Sequence, residues 1–306
     1  MEYKQWLEML SAINADDDLN KDNVIEKIKE KLEKEDPGTY QEWQDSRFDI
    51  NYTFNDQMLL HIVATKGLAK VTKLLIKKGA DVNKANQYEW APLHCAAENG
   101  HTEIVKALIG KEADVNAVEE DKWTPLHFAA VEGHTEIVNA LIAKEAHVNA
   151  VNQNGSTPLH FAAQMGHTEI VNTLIENGAN VNMLSESDKV TPLYLAVQSG
   201  HAEAVKALME KGADPLLENK SYITLKRLTE LIKNNSLEHL PKKAEEATTG
   251  REEEQVDDEY ELLKYSLLFR KGCPLVDNVR RDTFDSLLCT WFADTSNLTP
   301  KFFTKE

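Results

Sequence analysis

A chain of 306 residues with 34 Lys and Arg against 51 Asp and Glu carries a formal net charge of −17. That balance excludes general nucleic-acid binding, which draws on counterion release by basic side chains, and docking on an anionic membrane surface; it favours basic partners. The 42% hydrophobic content suffices for a packed core and excludes wholesale disorder, while the length allows two globular domains or one elongated array.

The N-terminus, MEYKQWLEML, lacks a basic region followed by a long apolar stretch, so no secretory leader is expected. Tyr3, Trp6, Leu7, Leu10 and Ile13 have helical spacing, as do Val24, Ile25, Ile28 and Leu32 until Asp36-Pro37-Gly38 ends that helix. Asp49-Ile50-Asn51 echoes a triplet that recurs downstream. Residues 1–52 therefore read as a helical N-terminal cap on the downstream chain.

From residue 53 the chain repeats. Pro92, Pro125 and Pro158 are spaced 33 apart and Pro192 follows after 34. Each precedes Leu and then His or Tyr: Leu93-His94, Leu126-His127, Leu159-His160 and Leu193-Tyr194. Gly-His follows at Gly100-His101, Gly133-His134, Gly166-His167 and Gly200-His201. An earlier unit lacks the proline but keeps Leu60-His61, Gly67, Leu74-Leu75-Ile76 and Asp81-Val82-Asn83. The residue types predict two helices per unit. Thr124-Pro125 and Thr157-Pro158 open the first, with Thr as cap and Pro where a missing N–H costs nothing. Gly100 and its equivalents close it in the left-handed conformation. Ile104, Val105, Leu108 and Ile109 give the second helix an apolar stripe that one unit alone cannot bury and a stack can.

These copies resemble the ankyrin-repeat family over a little over half the chain, at the level of TPLHxAAxxGHxEIVxxLIxxGADVN. The resemblance implies an all-α ankyrin-repeat solenoid: helix–turn–helix units joined by β-turn fingers, five of them across 53–218, with helical N- and C-terminal caps and a concave face that binds other proteins. The wording of the copies is also similar to ankyrin proteins of obligate intracellular bacteria. That implies a cytoplasmic protein, or an effector secreted into a host cytoplasm and acting on a host protein. The family's finger-tip Gly is kept only at Gly155; Asp56, Glu89, Lys122 and Lys189 hold the other tips. Glu112 and Glu145 replace the Gly that ends the second helix, which predicts a strained left-handed backbone at both.

Beyond residue 218 the pattern fades. Residues 219–276 read as a degenerate sixth repeat, with helices at 222–234 and 260–271 split by an acidic insert at 241–259. Residues 277–306 read as a C-terminal cap whose helix at 282–292 buries Phe284, Leu287, Leu288 and Trp291.

Catalytic chemistry finds little support. Histidines recur once per repeat in two sets, whereas an active site needs one asymmetric constellation. In the family the set at His61, His94, His127 and His160 bridges Thr and backbone groups within and between units. Cys95, Cys273 and Cys289 form neither a CxxC pair nor a disulfide framework, and a reducing compartment is the simplest context. Cys95 beside His94 does not face it, because adjacent helical residues point apart. No phosphate-loop, nucleophile-elbow, HExxH or kinase motif occurs, no stretch of about 18 apolar residues predicts a membrane span, and no metal or cofactor is expected.

Partner-binding candidates are the finger and first-helix positions free to vary. On the fingers they are Gln87, Tyr88, Trp90, Glu120, Asp121, Trp123, Gln153, Asn154 and Ser156; on the first helices they are Glu98, Asn99, Val131, Glu132, Gln164 and Met165. Trp90 and Trp123 stand at equivalent places and are either anchors for a partner or packing residues across the finger. The acids beside them favour a basic segment on a protein partner. The expected function is non-catalytic protein binding by a monomer, with neither nucleic acid nor membrane as partner. Two rivals are an enzyme with a small catalytic unit in 220–306, recruited by the repeats, and a self-associating structural spacer.

Overall fold

The computed structural model describes residues 3–217 apart from 55, 56, 188 and 216. The expectations for the sixth repeat, the acidic insert, the C-terminal cap, Cys273, Cys289 and the tip at Asp56 lie outside the described residues.

Three helices come first: α1 (Tyr3–Asn14), α2 (Val24–Glu35) and α3 (Pro37–Asp45). Trp6, Leu10, Ile13, Val24, Ile28 and Leu32 are buried, as their spacing predicts. Asp36-Pro37-Gly38 does more than end α2. The Asp36 carboxylate accepts the Thr39 N–H at 3.1 Å and its hydroxyl at 2.6 Å, and Pro37 takes the first helical position, so the same three residues open α3. Trp43 on α3 is fully buried and donates its indole N–H to the Asp49 carbonyl at 2.7 Å.

A two-stranded hairpin stands where the first finger belongs, β1 (Thr53–Phe54) against β2 (Gln57–Met58), with Thr53 opposite Met58. Phe54 gathers Trp6 at 4.7 Å, Tyr52 at 5.0 Å and Trp43 at 5.7 Å. The end of α1 is tied further along: Asn14 Oδ1 accepts the Val71 N–H at 3.1 Å and Lys70 Nζ donates to the Asp16 carbonyl at 2.5 Å.

Five helix pairs complete the array. The inner helices are α4 (Leu59–Lys66), α6 (Pro92–Glu98), α8 (Pro125–Val131), α10 (Pro158–Met165) and α12 (Pro192–Gln198). The outer helices are α5 (Ala69–Lys77), α7 (Thr102–Ile109), α9 (Thr135–Ile142), α11 (Thr168–Glu176) and α13 (Ala202–Glu210). Inner helices pack on inner and outer on outer in chain order, with α1 against α4 and α5. Leu93, Leu126, Leu159 and Leu193 are fully buried, and so are the paired alanines at 96–97, 129–130 and 162–163, whose small side chains let neighbouring units approach closely. Each buried Leu contributes about 1.5–3 kcal/mol relative to exposure.

Repeated polar contacts fix the spacing between units. His94, His127 and His160 accept at Nδ1 the N–H of Ala91, Thr124 and Thr157, at 3.0, 3.1 and 3.0 Å. Nε2, which therefore carries the proton, donates to a carbonyl of the next unit: Ala117 at 3.0 Å, Ser156 at 3.1 Å and Val190 at 3.3 Å. His61 makes the same forward bond, to the Trp90 carbonyl at 2.7 Å, but among the described residues its Nδ1 has no partner. The second histidine set lies over the preceding unit's glycine. A Cβ on Gly100 would meet the His134 ring at 2.6 Å, and one on Gly133 the His167 ring at 2.6 Å. These glycines thus supply both a positive φ and room for a ring.

A third contact is an asparagine ladder. The Oδ1 atoms of Asn51, Asn83, Asn116, Asn149 and Asn182 accept the N–H of Asp81, Asp114, His147, Asn180 and Asp214, each at 2.8 Å. Asn51, in the triplet that only echoed the repeat, is its first rung.

Candidate partner-binding surface

The segments joining an outer helix to the next inner helix, 78–91, 110–124, 143–157 and 177–191, are the fingers. One side chain holds each turn. Asn86 Oδ1 accepts the Tyr88 and Trp90 N–H groups at 2.9 and 3.0 Å; Asn152 Oδ1 accepts those of Asn154 and Ser156, both at 3.0 Å. Ser185 Oγ accepts from Val190 at 3.3 Å. Glu119 does this work with a carboxylate, accepting from Asp121 at 3.1 Å and Trp123 at 2.9 Å. Burial pushes its carboxyl up against the pull of those two N–H groups, and Asp121 and Glu120 beside it push the same way as burial. Sequence reasoning passed over Glu119; its alignment with Asn86 and Asn152 was the available signal.

The indoles lie at the base of the fingers. Trp90 is 4% exposed and packs at a tilt against Phe128 of the next unit, ring centroids 4.7 Å apart. Phe128 also meets Trp123 at 5.1 Å, and Trp123 meets Phe161 at 4.4 Å. Of the two readings of Trp90, partner anchor or packing residue, its burial against the Phe one unit ahead corrects the first in favour of the second. Trp123, in the same column, stays half-buried.

The remaining candidates keep some surface. Gln87, Asn99, Glu120, Gln153 and Met165 are exposed. Tyr88, Glu98, Asp121, Val131, Glu132, Asn154, Ser156 and Gln164 are half-buried. Two residues that sequence reasoning did not single out join them: Val118 at 49% exposure and Val151 at 37% hold equivalent places on neighbouring fingers, and Met165 reaches 41%. Main-chain bonds join three of the fingers, from Gln153 N–H to the Asp121 carbonyl at 2.8 Å and from Glu186 N–H to the Asn154 carbonyl at 2.9 Å.

The buried titratable groups are engaged in the fold. Burial pushes His61, His94, His127 and His160 down to about 4 against the pull of their carbonyl partners, leaving them neutral at pH 7. Burial pushes the Cys95 thiol up to about 12, so it carries no thiolate nucleophile. Among the described residues no three His, Cys, Asp or Glu side chains are grouped to hold a metal ion, and no helix is long and apolar enough to cross a membrane.

A family model described as ankyrin repeats matches residues 29–119, 59–152, 111–185 and 145–219. No curated protein matches the chain.

Proposed function

The chain belongs to the ankyrin-repeat family, whose arrays are generally protein–protein interaction modules, and from that premise we propose that it is a non-catalytic binding array. Its partner is a protein segment lying across the central fingers and inner helices. One observation carries this reading. The motif residues are consumed in holding units together, yet Val118 and Val151 on neighbouring fingers and Met165 on α10 leave apolar surface in water, and Tyr88, Trp123 and Val131 on the same fingers and inner helices stay half-buried. Apolar surface repeated on successive units of the array suits a partner that lies across them.

Charge sets the partner's character. Glu89, Glu98, Glu120, Asp121 and Glu132 lie on the fingers and inner helices of two neighbouring units, against Lys122. A basic segment with apolar side chains complements that surface. A standard contact would remove about 1,600 Å² from water in total. The likeness of the repeats to those of obligate intracellular bacteria makes a host cytoplasmic protein the class to screen first, with the chain acting as a monomeric effector.

The test uses the full chain carrying Val118→Lys, Val151→Lys and Met165→Lys, after circular dichroism and melting show it as well folded as wild type. Proteins captured from a host-cell lysate by wild type should be lost by the variant. Undiminished capture would move the binding site off this face.

A further inference from the structure

Four finger tips have a positive φ and only one is glycine. The tips are Glu89 at φ 60°, Lys122 at φ 62°, Gly155 at φ 72° and Lys189 at φ 53°. A side chain in this left-handed region costs about 1 kcal/mol that glycine avoids. Gly155 is dictated by fit, since a Cβ there would lie 2.4 Å from the Glu186 backbone nitrogen. The other tips hold their turns through main-chain bonds that glycine would keep: Glu89 N–H to the Asn86 carbonyl at 3.0 Å, Lys122 N–H to that of Glu119 at 2.8 Å, and Lys189 N–H to that of Ser185 at 3.2 Å. All three side chains are exposed, and among the described residues none forms a hydrogen bond or ion pair. Their strain is offset by no side-chain bond inside the described array, and unlike the equally strained Glu112 and Glu145 they stand at the tips of the fingers that carry the proposed binding face, where such strain points to function.

We infer that Glu89, Lys122 and Lys189 are specificity-determining residues that read the charge pattern of the bound segment. The inference rests on the protein-binding reading and deepens it. Along the fingers the tips run negative, positive, blank, positive, so the segment they select runs positive, negative, blank, negative. Side-by-side inner helices place neighbouring tips about 8–10 Å apart, roughly three residues of extended chain. The partner therefore carries a Lys or Arg, an acid about three residues away and a second acid about nine residues away in the same direction. The general acidity of the face attracts basic segments in any register; alternating tips choose one register. Glu112 at φ 63° and Glu145 at φ 65° carry the same strain at the far end of their units, after the outer helices, and serve as controls.

The probe is a displayed library of random peptides about 16 residues long, enough to span four tips in extended form, selected on the immobilised full chain. Wild type should enrich the positive, negative, blank, negative pattern. Lys122→Glu should convert the first acid of that pattern to Lys or Arg. Glycine at each of the three tips should raise the melting temperature, and should weaken the selected peptides about threefold per tip and about thirtyfold for all three, the scale of exposed ion pairs. Glu112→Gly should raise the melting temperature and leave peptide affinity unchanged. Unchanged charge preference in Lys122→Glu, or full affinity in the triple glycine variant, overturns the inference. If selected peptides ignore the tips but are lost by Val118→Lys/Val151→Lys, the binding face stands and only the tips are wrongly assigned. Enrichment of no peptide by wild type removes both.

Discussion

At the residue scale, His147 marks a lost bond. In the other triplets the first residue accepts the N–H two places on: Asp49 from Asn51, Asp81 from Asn83 and Asp114 from Asn116, all at 2.9 Å, and Asn180 from Asn182 at 3.0 Å. Among the described residues His147 makes no such bond to Asn149. His147→Asn should restore it, adding about 1 kcal/mol and raising the melting temperature about 2–4 °C. An unchanged melting temperature would mean that water already serves the Asn149 N–H equally well. Glu112 and Glu145 do adopt the left-handed backbone expected of them, where Gly79, Gly178 and Gly212 stand in other units. Glu112→Gly and Glu145→Gly should each add about 1 kcal/mol, offset in part by glycine's freer unfolded chain. A lower melting temperature in either variant would show that its side chain is used. Gly133→Ala should act in the opposite sense, because its φ is 80° and its methyl group would meet the His167 ring at 2.6 Å.

Between elements, one ladder is incomplete. Lys73 pairs with Glu103, and Lys106 with Glu136, across neighbouring outer helices. The next position is Asn139, and there, among the described residues, Glu169 meets only the Thr135 hydroxyl at 3.5 Å. Asn139→Lys should add an exposed pair of about 0.2–1 kcal/mol, visible as a melting shift at low salt that shrinks at 1 M. A shift that survives salt would point to packing by the lysine stem instead. The helix pairs were legible in the sequence because each motif residue repeats one task every 33 or 34 positions. What was illegible depended on something outside its own unit or type. Asp36-Pro37-Gly38 reads as a stop, and only the folded Asp36 cap reveals it as a start as well. Trp90 reads equally as a partner anchor or a packing residue until Phe128 of the next unit is placed against it. Glu119 goes unremarked until its two N–H partners make it the finger's turn-holder.

For the whole array, the buried histidines set an acid limit. Their folded pKa of about 4 lies below the ordinary 6.5, so the fold favours the neutral ring. The stability this gives is complete above about pH 6.5 and is lost progressively as pH falls toward about 4. Each shift corresponds to about 3 kcal/mol at most, so four of them reach the whole stability of an ordinary domain. Protonation would also require Nδ1 of His94, His127 and His160 to release the backbone N–H it accepts. Three of the forward bonds end on Trp90, Ser156 and Val190, the carbonyls at the finger bases, so the rings that join units also seat the fingers. Since units of such arrays are stable only through their neighbours, loss at one joint spreads to the next. The melting temperature should therefore be flat above pH 7 and fall steeply between pH 6.5 and 4, with partner binding lost over the same interval. A melting temperature that held steady to pH 4 would show that the rings keep their bonds when charged, and would remove the histidine joints as the source of acid sensitivity.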